Sequence, residues 1–256
     1  MKERPIKRIP ETNEIFKSLN EAHRQAANDP SIQRLSMDTK AKVNLGPFSR
    51  GGKSWTNVVG VDHDFNGKPL YPFGILDCKT KRVSLYACKR VTADTIVDCL
   101  KKYWNSHPKV RAGCRTIQLD LDNGPSNSSH CAEFTANMAC FAARFHVKVQ
   151  LVYYPPYHSK YNSIEHVWGT LETHWNRHLL KTAEDAVGYR KTMKYHGMSP
   201  EVTTVTKDYP TGVKPDKEAK AFFEKCLNRK KGLEPWSVTI NPDTVCQAIA
   251  ERKKAS

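Results

Sequence analysis

Two short apolar segments enclose a helix-periodic segment between residues 116 and 154, and this order restricts the possible folds more than any other part of the sequence. The segments TIQLDLD and VKVQLVYY have the length and the β-branched content of buried strands. Between them, SHCAEFTANMACFAARF places its apolar residues at helical spacing. A right-handed helical crossover of this kind sets successive strands side by side in one sheet. The sequence therefore predicts an α/β domain.

Three antiparallel strands are predicted before this unit, followed by one helix. The segments IQRLSMDTKAKVNLG, SWTNVVGVDHDF and KRVSLYACKRV are rich in β-branched and aromatic residues or alternate with period two, and residues 65–69 and 78–82 would connect strands. TADTIVDCLKKYWNSH has helical spacing after a capping threonine. Another helix is predicted from Ile164 to Trp175. The complete order, βββαβαβα, is typical of ribonuclease-H-like folds, in which a mixed sheet is flanked by helices.

We expect three regions along the chain. A basic arm and a short amphipathic helix occupy residues 1–31, the ribonuclease-H-like core residues 32–182, and a small α+β extension residues 183–256. The extension would contain helices in KTAEDAVGYRKTMKYHG and PDKEAKAFFEKCLNRKKG, a strand or turn in TTVTKDYPTGV, a short strand in WSVTI and a basic tail.

Charge indicates the class of partner. The 256 residues include 41 Lys and Arg against 26 Asp and Glu, a formal net charge of +15, which attracts polyanions such as nucleic acid.

No stretch is apolar enough to span a membrane, and the basic start is not followed by a signal-peptide core, so we expect an intracellular protein. The eight cysteines contain no CxxC pair and lie mostly in apolar segments, so we expect them to be reduced core residues rather than disulfides or a zinc site.

Three carboxylates fall where the predicted elements would bring acidic residues to one sheet edge. Asp38 lies on the first strand, Asp122 ends the strand TIQLDLD, and Glu165 begins the helix after Pro155-Pro156. Phosphodiester cleavage spreads negative charge over the phosphoryl oxygens, and two divalent ions can stabilise the attacking and leaving oxygens. Mg²⁺ prefers hard oxygen ligands, so two Asp and one Glu fit a pair of magnesium ions.

Each carboxylate also has a simpler interpretation. Asp38 could be a solvated residue near a strand end, and Asp122 in DNG is a good turn former. Glu165 follows Asn162 by three residues, which resembles a capping box that satisfies the first backbone N–H groups of a helix.

Neighbouring acidic residues compete for the same roles. Asp120 shares a strand face with Asp122 and is the main rival for the second position. Asp62 and Asp64 in VDHDF are further rivals, although a turn or a supporting role suits them better.

Histidines raise one more hypothesis. His166, His174 and His178 recur on about one side of a helix at a spacing that zinc could use, but no cysteine and no HExxH pattern accompanies them. A contact of His166 with phosphate or with a metal-bound water is the better alternative, because His166 adjoins Glu165.

Several motifs together resemble a known family. DTKAKVNLGPFSRGGKSW, VDHDF, PFGILD, LDNGPSNSS, YYPPYHSKYNSIEHVWGTL and YPTGVK occur in the order seen in DDE transposases of the bacterial ISAzo-thirteen type, relatives of the mariner-like superfamily. The resemblance covers residues 30–242. PPYHSKYNSIEHVW is similar to the signature that carries the last catalytic carboxylate in that superfamily.

The resemblance implies a mechanism and a set of site residues. Asp38, Asp122 and Glu165 match the three catalytic, metal-binding carboxylates, with Asp120, Asn123, Asn162 and His166 expected around them. Enzymes of this kind use Mg²⁺ or Mn²⁺, two ions in the expected arrangement. They hydrolyse DNA at element ends and join the freed 3′ hydroxyl to target DNA. They usually act as multimers on paired ends, which here implies a homo-oligomer on DNA in a bacterial cytoplasm, associated with the nucleoid.

The sequence departs from the family at its beginning. Members usually carry an N-terminal helix-turn-helix region that recognises the element ends, and only 37 residues precede Asp38 here. An inactive DNA-binding remnant and a structure-specific nuclease on the same fold are therefore the alternative functions. Candidate phosphate contacts are the basic residues Lys7, Arg8, Lys40, Lys89, Arg90, Lys160, Arg190, Lys191, Lys194, Arg229, Lys230 and Lys231.

Overall fold

The computed structural model describes residues 8–47, 69–176 and 178–255. In these ranges the strands are β1 (Ile32–Thr39), β2 (Val43–Asn44), β3 (Pro69–Asp77), β4 (Val83–Cys88), β5 (Thr116–Leu121), β6 (Lys148–Tyr153), β7 (Glu201–Val205), β8 (Leu227–Arg229) and β9 (Ser237–Ile240). The helices are α1 (Thr12–Asn28), α2 (Ala93–Ser106), α3 (Pro108–Gly113), α4 (Ala132–Phe145), α5 (Glu165–Trp175), α6 (Ala183–Thr192), α7 (Lys217–Glu224) and α8 (Pro242–Ala255). A 3-10 turn occupies Ser159–Tyr161.

The chain divides into two compact units. The first unit contains Met1–Ser36, Thr92–Asn162 and Tyr209–Ser256, and the second contains Met37–Val91 and Ser163–Asp208. Strand β1 contributes its first five residues to the first unit and its last three to the second.

The first unit is built on the strand-helix-strand segment that the sequence predicts. Strand β5 pairs in parallel with both β1 and β6, and α4 is the crossover between β5 and β6. The register of the first pair places Ser36 opposite Asp120. Strands β9 and β8 extend this sheet by antiparallel pairing from β6. The predicted α/β organisation with parallel strands is confirmed.

Helix α1 packs on the first unit through its apolar face. Leu19 and Ala22 are buried against Val152 and Tyr154 of the β6 region, as the helical spacing of residues 11–28 predicts. This packing explains why the helix is stable here, since an amphipathic face gains most of its stability from burial rather than from helix propensity. With 17 residues, α1 is not the short helix that the sequence predicts.

The second unit contains an antiparallel pair, β3 and β4, with β7 added in parallel to β4 and β2 paired with β3. Helix α5 covers this unit with the face that the sequence predicts. Val167, Trp168, Leu171 and Trp175 are all buried in one apolar cluster. Because these positions recur every three or four residues, they form one continuous stripe.

Several local predictions differ from the structure. Strand β3 is not predicted, because Pro69 and Pro72 weaken the strand pattern of its sequence. The predicted basic tail is helix α8, and LNR, assigned to a helix, is strand β8. The strand expected in residues 54–65 lies outside the described residues and stays a prediction.

The sequence makes one prediction about the cysteines and one about membrane-spanning segments. All eight cysteines are free, as predicted, although Cys140 and Cys246 are exposed rather than part of a core. Within the described parts of the chain, no helix combines the length and the apolar character that crossing a bilayer requires.

A buried ionic group lies between α1 and the sheet of the first unit. Asp120 is fully buried, and its Oδ2 atom lies 2.8 Å from both Nε and Nη2 of Arg34 and 3.0 Å from Nε2 of His23. Burial raises the pKa of Asp120, but the neighbouring His23 and Arg34 outweigh this effect and hold the pKa below its ordinary value. Asp120 therefore stays ionised and connects α1 to β1 and β5.

We predict that Gly74→Ala destabilises the second unit. A Cβ atom at position 74 would lie 2.6 Å from Cη2 of Trp168 and 3.1 Å from Cδ1 of Ile164, so the buried indole would have to move. Overpacking of this kind costs about 1–3 kcal/mol. The matched control is Gly188→Ala in α6, where a Cβ meets nothing within 4 Å and Ala favours the helix by roughly 0.5–1 kcal/mol. Urea unfolding of both variants checks the prediction, and equal stability would contradict it.

A second prediction concerns Asp120→Asn. The change removes the buried anion that His23 and the half-buried Arg34 contact, and breaking a buried ion pair costs about 3–5 kcal/mol of unfolding free energy at neutral pH. Glu21→Gln is the control, because it breaks the exposed Glu21–Arg24 pair on α1, worth about 0.2–1 kcal/mol.

The Asp120 contribution also has a defined pH dependence. Since its folded-state pKa is below the ordinary value of 3.8, the stabilisation is fully present above that pH and is lost as the pH falls through the lowered folded-state value. Unfolding of wild type and Asp120→Asn at neutral and acidic pH measures it. A difference below 1 kcal/mol at neutral pH would show that the ion pair does not stabilise the fold.

Candidate functional site

Asp38 lies near the end of β1, in the second unit, and is buried. The indole Nε1 of Trp168 donates a hydrogen bond of 3.0 Å to its Oδ2 atom. An N–H donor that is neutral orients the carboxylate without cancelling its charge. The interpretation of Asp38 as a solvated residue is wrong, because the side chain is only 8% exposed and has this internal partner.

Glu165 is the first residue of α5 and is half-buried. Trp168 follows one helical turn later, so the two side chains leave the same side of the helix, with Cβ atoms roughly 5–6 Å apart. The residue that orients Asp38 is therefore the helical neighbour of Glu165. The capping-box interpretation is wrong, because α5 has Ile164 as its N-cap and no side-chain cap.

Asp122 follows β5 directly, in the first unit. Its Oδ1 atom accepts hydrogen bonds from the backbone N–H of Gly124 at 3.2 Å and from Nδ2 of Asn127 at 2.8 Å. Among the described residues, Oδ2 of Asp122 accepts no hydrogen bond. A Cβ at position 124 would lie 3.4 Å from both carboxylate oxygens, so glycine leaves the space beside them open.

The carboxylates have the chemistry of ligands for a hard divalent cation. Asp122 has one oxygen held by two neutral donors and the other available, which fits a cation on Oδ2. Asp38 is likewise oriented by a neutral donor. In the ranges that the structure describes, no three His, Cys, Asp or Glu side chains are grouped as a set that could hold a metal ion.

Asp120 has a different environment from Asp122 although only one residue separates them. Its Oδ2 atom is bound by Arg34 and its Oδ1 accepts a hydrogen bond from Nε2 of Gln118. Because its charge is balanced inside the protein, the structure favours Asp122 over its rival as a cation ligand. Asp62 and Asp64, the other rivals, lie outside the described residues.

The other residues expected around the carboxylates have separate surroundings. Oδ1 of Asn123 accepts a 3.4 Å hydrogen bond from the backbone N–H of Ser129, and Asn162 is buried with its Oδ1 bound by the Ser36 hydroxyl. His166 is exposed at the start of α5. His174 contacts the hydroxyl of Thr192.

One candidate phosphate contact requires correction. Arg190 is fully buried, with its guanidinium 5.8 Å from the centre of the Trp175 ring, so it does not present a charge at the surface. Its position on the inner side of α6 gives it a packing role against Trp175, because a guanidinium can stack on an aromatic face.

Several of the other candidates already contact a partner inside the protein. Lys40 pairs with Glu172, Arg90 with Asp208 at 3.2 Å, Lys194 donates to Ser199, and Lys160 lies 5.7 Å from the centre of the Tyr161 ring. Lys89 and Lys191 are exposed at the surface. Lys7 lies outside the described residues.

The residues that orient the carboxylates were not identified from the sequence. The spacing of α5 predicts a place in the apolar stripe for Trp168 and does not reveal that its indole N–H donates to Asp38. Asn127 lies in the polar loop after β5, five residues beyond Asp122. A search for side-chain donors within a few residues of each strand-end carboxylate would have found Asn127. The role of Trp168 is visible only in the folded structure, because 130 positions separate it from Asp38 in the sequence.

The fold is similar to that of a known transposase. A solved structure described as the Mos1 transposase paired-end complex with left transposon end aligns with a TM-score of 0.51 at 13% sequence identity, over 73% of this chain and 57% of that chain. The chain thus spans 57% of the length of the Mos1 chain. This similarity confirms the predicted ribonuclease-H-like fold, a mixed sheet flanked by helices. No curated protein matches the chain in sequence.

The family comparison agrees with the motifs. Residues 1–242 match the family model described as the Rhodopirellula transposase DDE domain. The match covers almost the whole chain and confirms the resemblance to DDE transposases seen in the sequence. This chain therefore belongs to the family of the Rhodopirellula transposase DDE domain.

Proposed function

We propose that this protein cleaves DNA phosphodiester bonds at the ends of an insertion element and joins the freed ends to target DNA. Asp38, Asp122 and Glu165 are the proposed ligands for two Mg²⁺ or Mn²⁺ ions. The observation that carries the proposal is the state of the Asp122 carboxylate. One of its oxygens is held by Asn127 and Gly124, and the other is open to a cation in the described residues.

Strand register supports the same set of residues. Ser36 and Asp120 are opposite each other in the parallel pair of β1 and β5, and the two candidate aspartates each follow two positions later along the chain. The proposal extends this register by those two positions. Glu165 joins them through Trp168, which is on the same helix and donates to Asp38. Ligand sites commonly lie at the carboxyl ends of parallel strands.

The proposed reaction consists of two in-line displacements at phosphorus. In the first, a water oxygen bonds to the phosphorus, the P–O3′ bond breaks, and the strand gains a 3′ hydroxyl. In the second, that hydroxyl attacks a phosphorus of target DNA and displaces the O3′ of the target strand. Bound divalent ions would stabilise charge on the attacking and leaving oxygens. Asn127, Gly124 and Trp168 keep the carboxylates oriented before substrate arrives.

DNA is the proposed partner, in agreement with the +15 charge of the chain. Exposed Lys89 and Lys191 are the simplest phosphate contacts. We propose that two copies act on two paired ends, as the described Mos1 complex contains paired ends. The site of action would be the bacterial nucleoid.

The experiment that tests this function combines plasmid nicking with strand joining. We expect Asp38→Asn, Asp122→Asn and Glu165→Gln each to lower Mn²⁺-dependent nicking of supercoiled plasmid and the joining of 3′-hydroxyl duplexes to that plasmid. We expect each rate to fall by at least about a hundredfold. The loss of one ligand removes several kcal/mol of transition-state stabilisation, and 1.36 kcal/mol corresponds to a tenfold change in rate.

Glu184→Gln is the matched control, because Glu184 is an exposed acidic residue of α6. It should keep wild-type rates. Undiminished activity in Asp122→Asn or Glu165→Gln would refute the proposed mechanism. Salt-sensitive DNA binding without any metal-dependent cleavage in the wild type would indicate a DNA-binding remnant, and cleavage that never produces joined ends would indicate a nuclease.

A further inference from the structure

The loop between β5 and α4 carries Asp122, and a C-terminal hairpin contacts this loop. The loop comprises residues 122–131, and the hairpin consists of β8, β9 and the turn between them. Both belong to the first unit. The junction between them is Ser129, which is 1% exposed. Its hydroxyl donates to the backbone carbonyl of Pro235 at 2.9 Å.

Arg229, the last residue of β8, holds the other side of this junction. Its Nη2 donates to the carbonyl of Ser129 at 2.9 Å and its Nη1 to the carbonyl of Glu234 at 3.1 Å. Its Nε and Nη2 also donate to the two carboxylate oxygens of Glu224, at 2.6 and 3.1 Å. The Arg229 guanidinium beside Glu224 holds the pKa of that carboxyl below its usual range, so the partner stays charged.

This set of acceptors requires an arginine. A guanidinium presents five N–H donors in a rigid plane, whereas a lysine ammonium is a single point charge on a flexible stem. Arg229 uses its plane to reach three different residues at once, and its side chain is only 17% exposed. The sequence suggested a phosphate contact at this position. The structure instead directs its donors to protein oxygens.

Ser129 is linked to the Asp122 carboxylate through the neighbouring residues Asn123 and Asn127. The Ser129 backbone N–H donates to Oδ1 of Asn123, the neighbour of Asp122, at 3.4 Å. Asn127, two residues before Ser129, donates to Asp122, and its own carbonyl accepts a 2.9 Å hydrogen bond from the hydroxyl of buried Tyr153. Asn123 has a φ of 62°, a left-handed conformation that asparagine tolerates but that surrounding contacts must maintain.

We propose that Arg229 is a positioning residue that fixes the orientation of Asp122 by clamping Ser129 and so the loop 122–131. The inference rests on the proposed function, because it assumes that Asp122 binds a catalytic cation. The C-terminal hairpin then supports the site directly, because through Ser129 it contacts the loop that carries the Asp122 carboxylate. Outer residues that orient metal ligands commonly change metal affinity by about 10–100-fold when they are altered.

Arg229→Lys is the principal test, with Glu224→Gln as its control. The lysine keeps the charge but cannot bridge Ser129, Glu234 and Glu224. The control removes the charge of Glu224 but leaves both carbonyl contacts of Arg229 in place. We expect Arg229→Lys to weaken Mn²⁺ binding, measured by electron paramagnetic resonance of free Mn²⁺, by about tenfold or more. Amides in residues 122–131 should also exchange hydrogen faster. Glu224→Gln should stay close to the wild type in both measurements.

Ser129→Ala tests the same junction from the loop side, and it serves alone if Arg229→Lys does not fold. It removes the hydrogen bond to Pro235 and, like Arg229→Lys, should weaken Mn²⁺ binding. Because both changes loosen one junction, their effects in the double variant should be less than additive.

The outcomes separate this inference from the proposed function. If Asp122→Asn abolishes Mn²⁺ binding while Arg229→Lys and Ser129→Ala leave affinity and loop exchange unchanged, the positioning role is wrong and the proposed function stands. If Asp122→Asn binds Mn²⁺ like the wild type, the proposed function fails and the inference fails with it.

Discussion

Parallel hydrogen bonding between β1 and β5 is the constraint on which the proposed site depends. It fixes Ser36 opposite Asp120, and because side chains alternate with period two, a slip of one residue would turn every polar side chain of β5 to the other face. The buried Asp120 ion pair reinforces this register, since Arg34 of β1 binds the carboxylate of β5. Helix α1 joins the same group through His23. Helix α1 therefore stabilises the core strands rather than only preceding them.

Asp120 and Asp122 show how the type of partner decides the role of a carboxylate. Asp120 is surrounded by cationic and polar groups in the interior, so its charge is balanced by the protein. Within the part of the chain that the structure describes, the hydrogen bonds to Asp122 come from the neutral N–H donors of Gly124 and Asn127, which leaves its charge to be balanced by an external cation. Asp38 also accepts a hydrogen bond from a neutral donor, the indole N–H of Trp168. Neutral donors orient a ligand without competing electrostatically with the metal.

The sequence predicts those features that depend on local patterns. The stripe of α5, the crossover through α4 and the places of Asp122 and Glu165 at element ends all follow from periodicity and motif. Roles that depend on tertiary contacts cannot be predicted from these local patterns. Arg190 and Arg229 look alike in the sequence as surface cations, yet one is buried over Trp175 and the other bridges carbonyls. Strand β3 was missed because its pairing with β4 overrides the two prolines that argue against a strand.

Electron paramagnetic resonance of bound Mn²⁺ in the presence of duplex DNA would show whether the three carboxylates share a pair of divalent ions. We expect two ions per chain, with the exchange-coupled spectrum of a pair roughly 3.5–4 Å apart. That spectrum should disappear in Asp38→Asn, Asp122→Asn and Glu165→Gln alike. If the wild-type protein binds only isolated ions, or if the coupled pair survives these substitutions, the three carboxylates do not share a two-ion site.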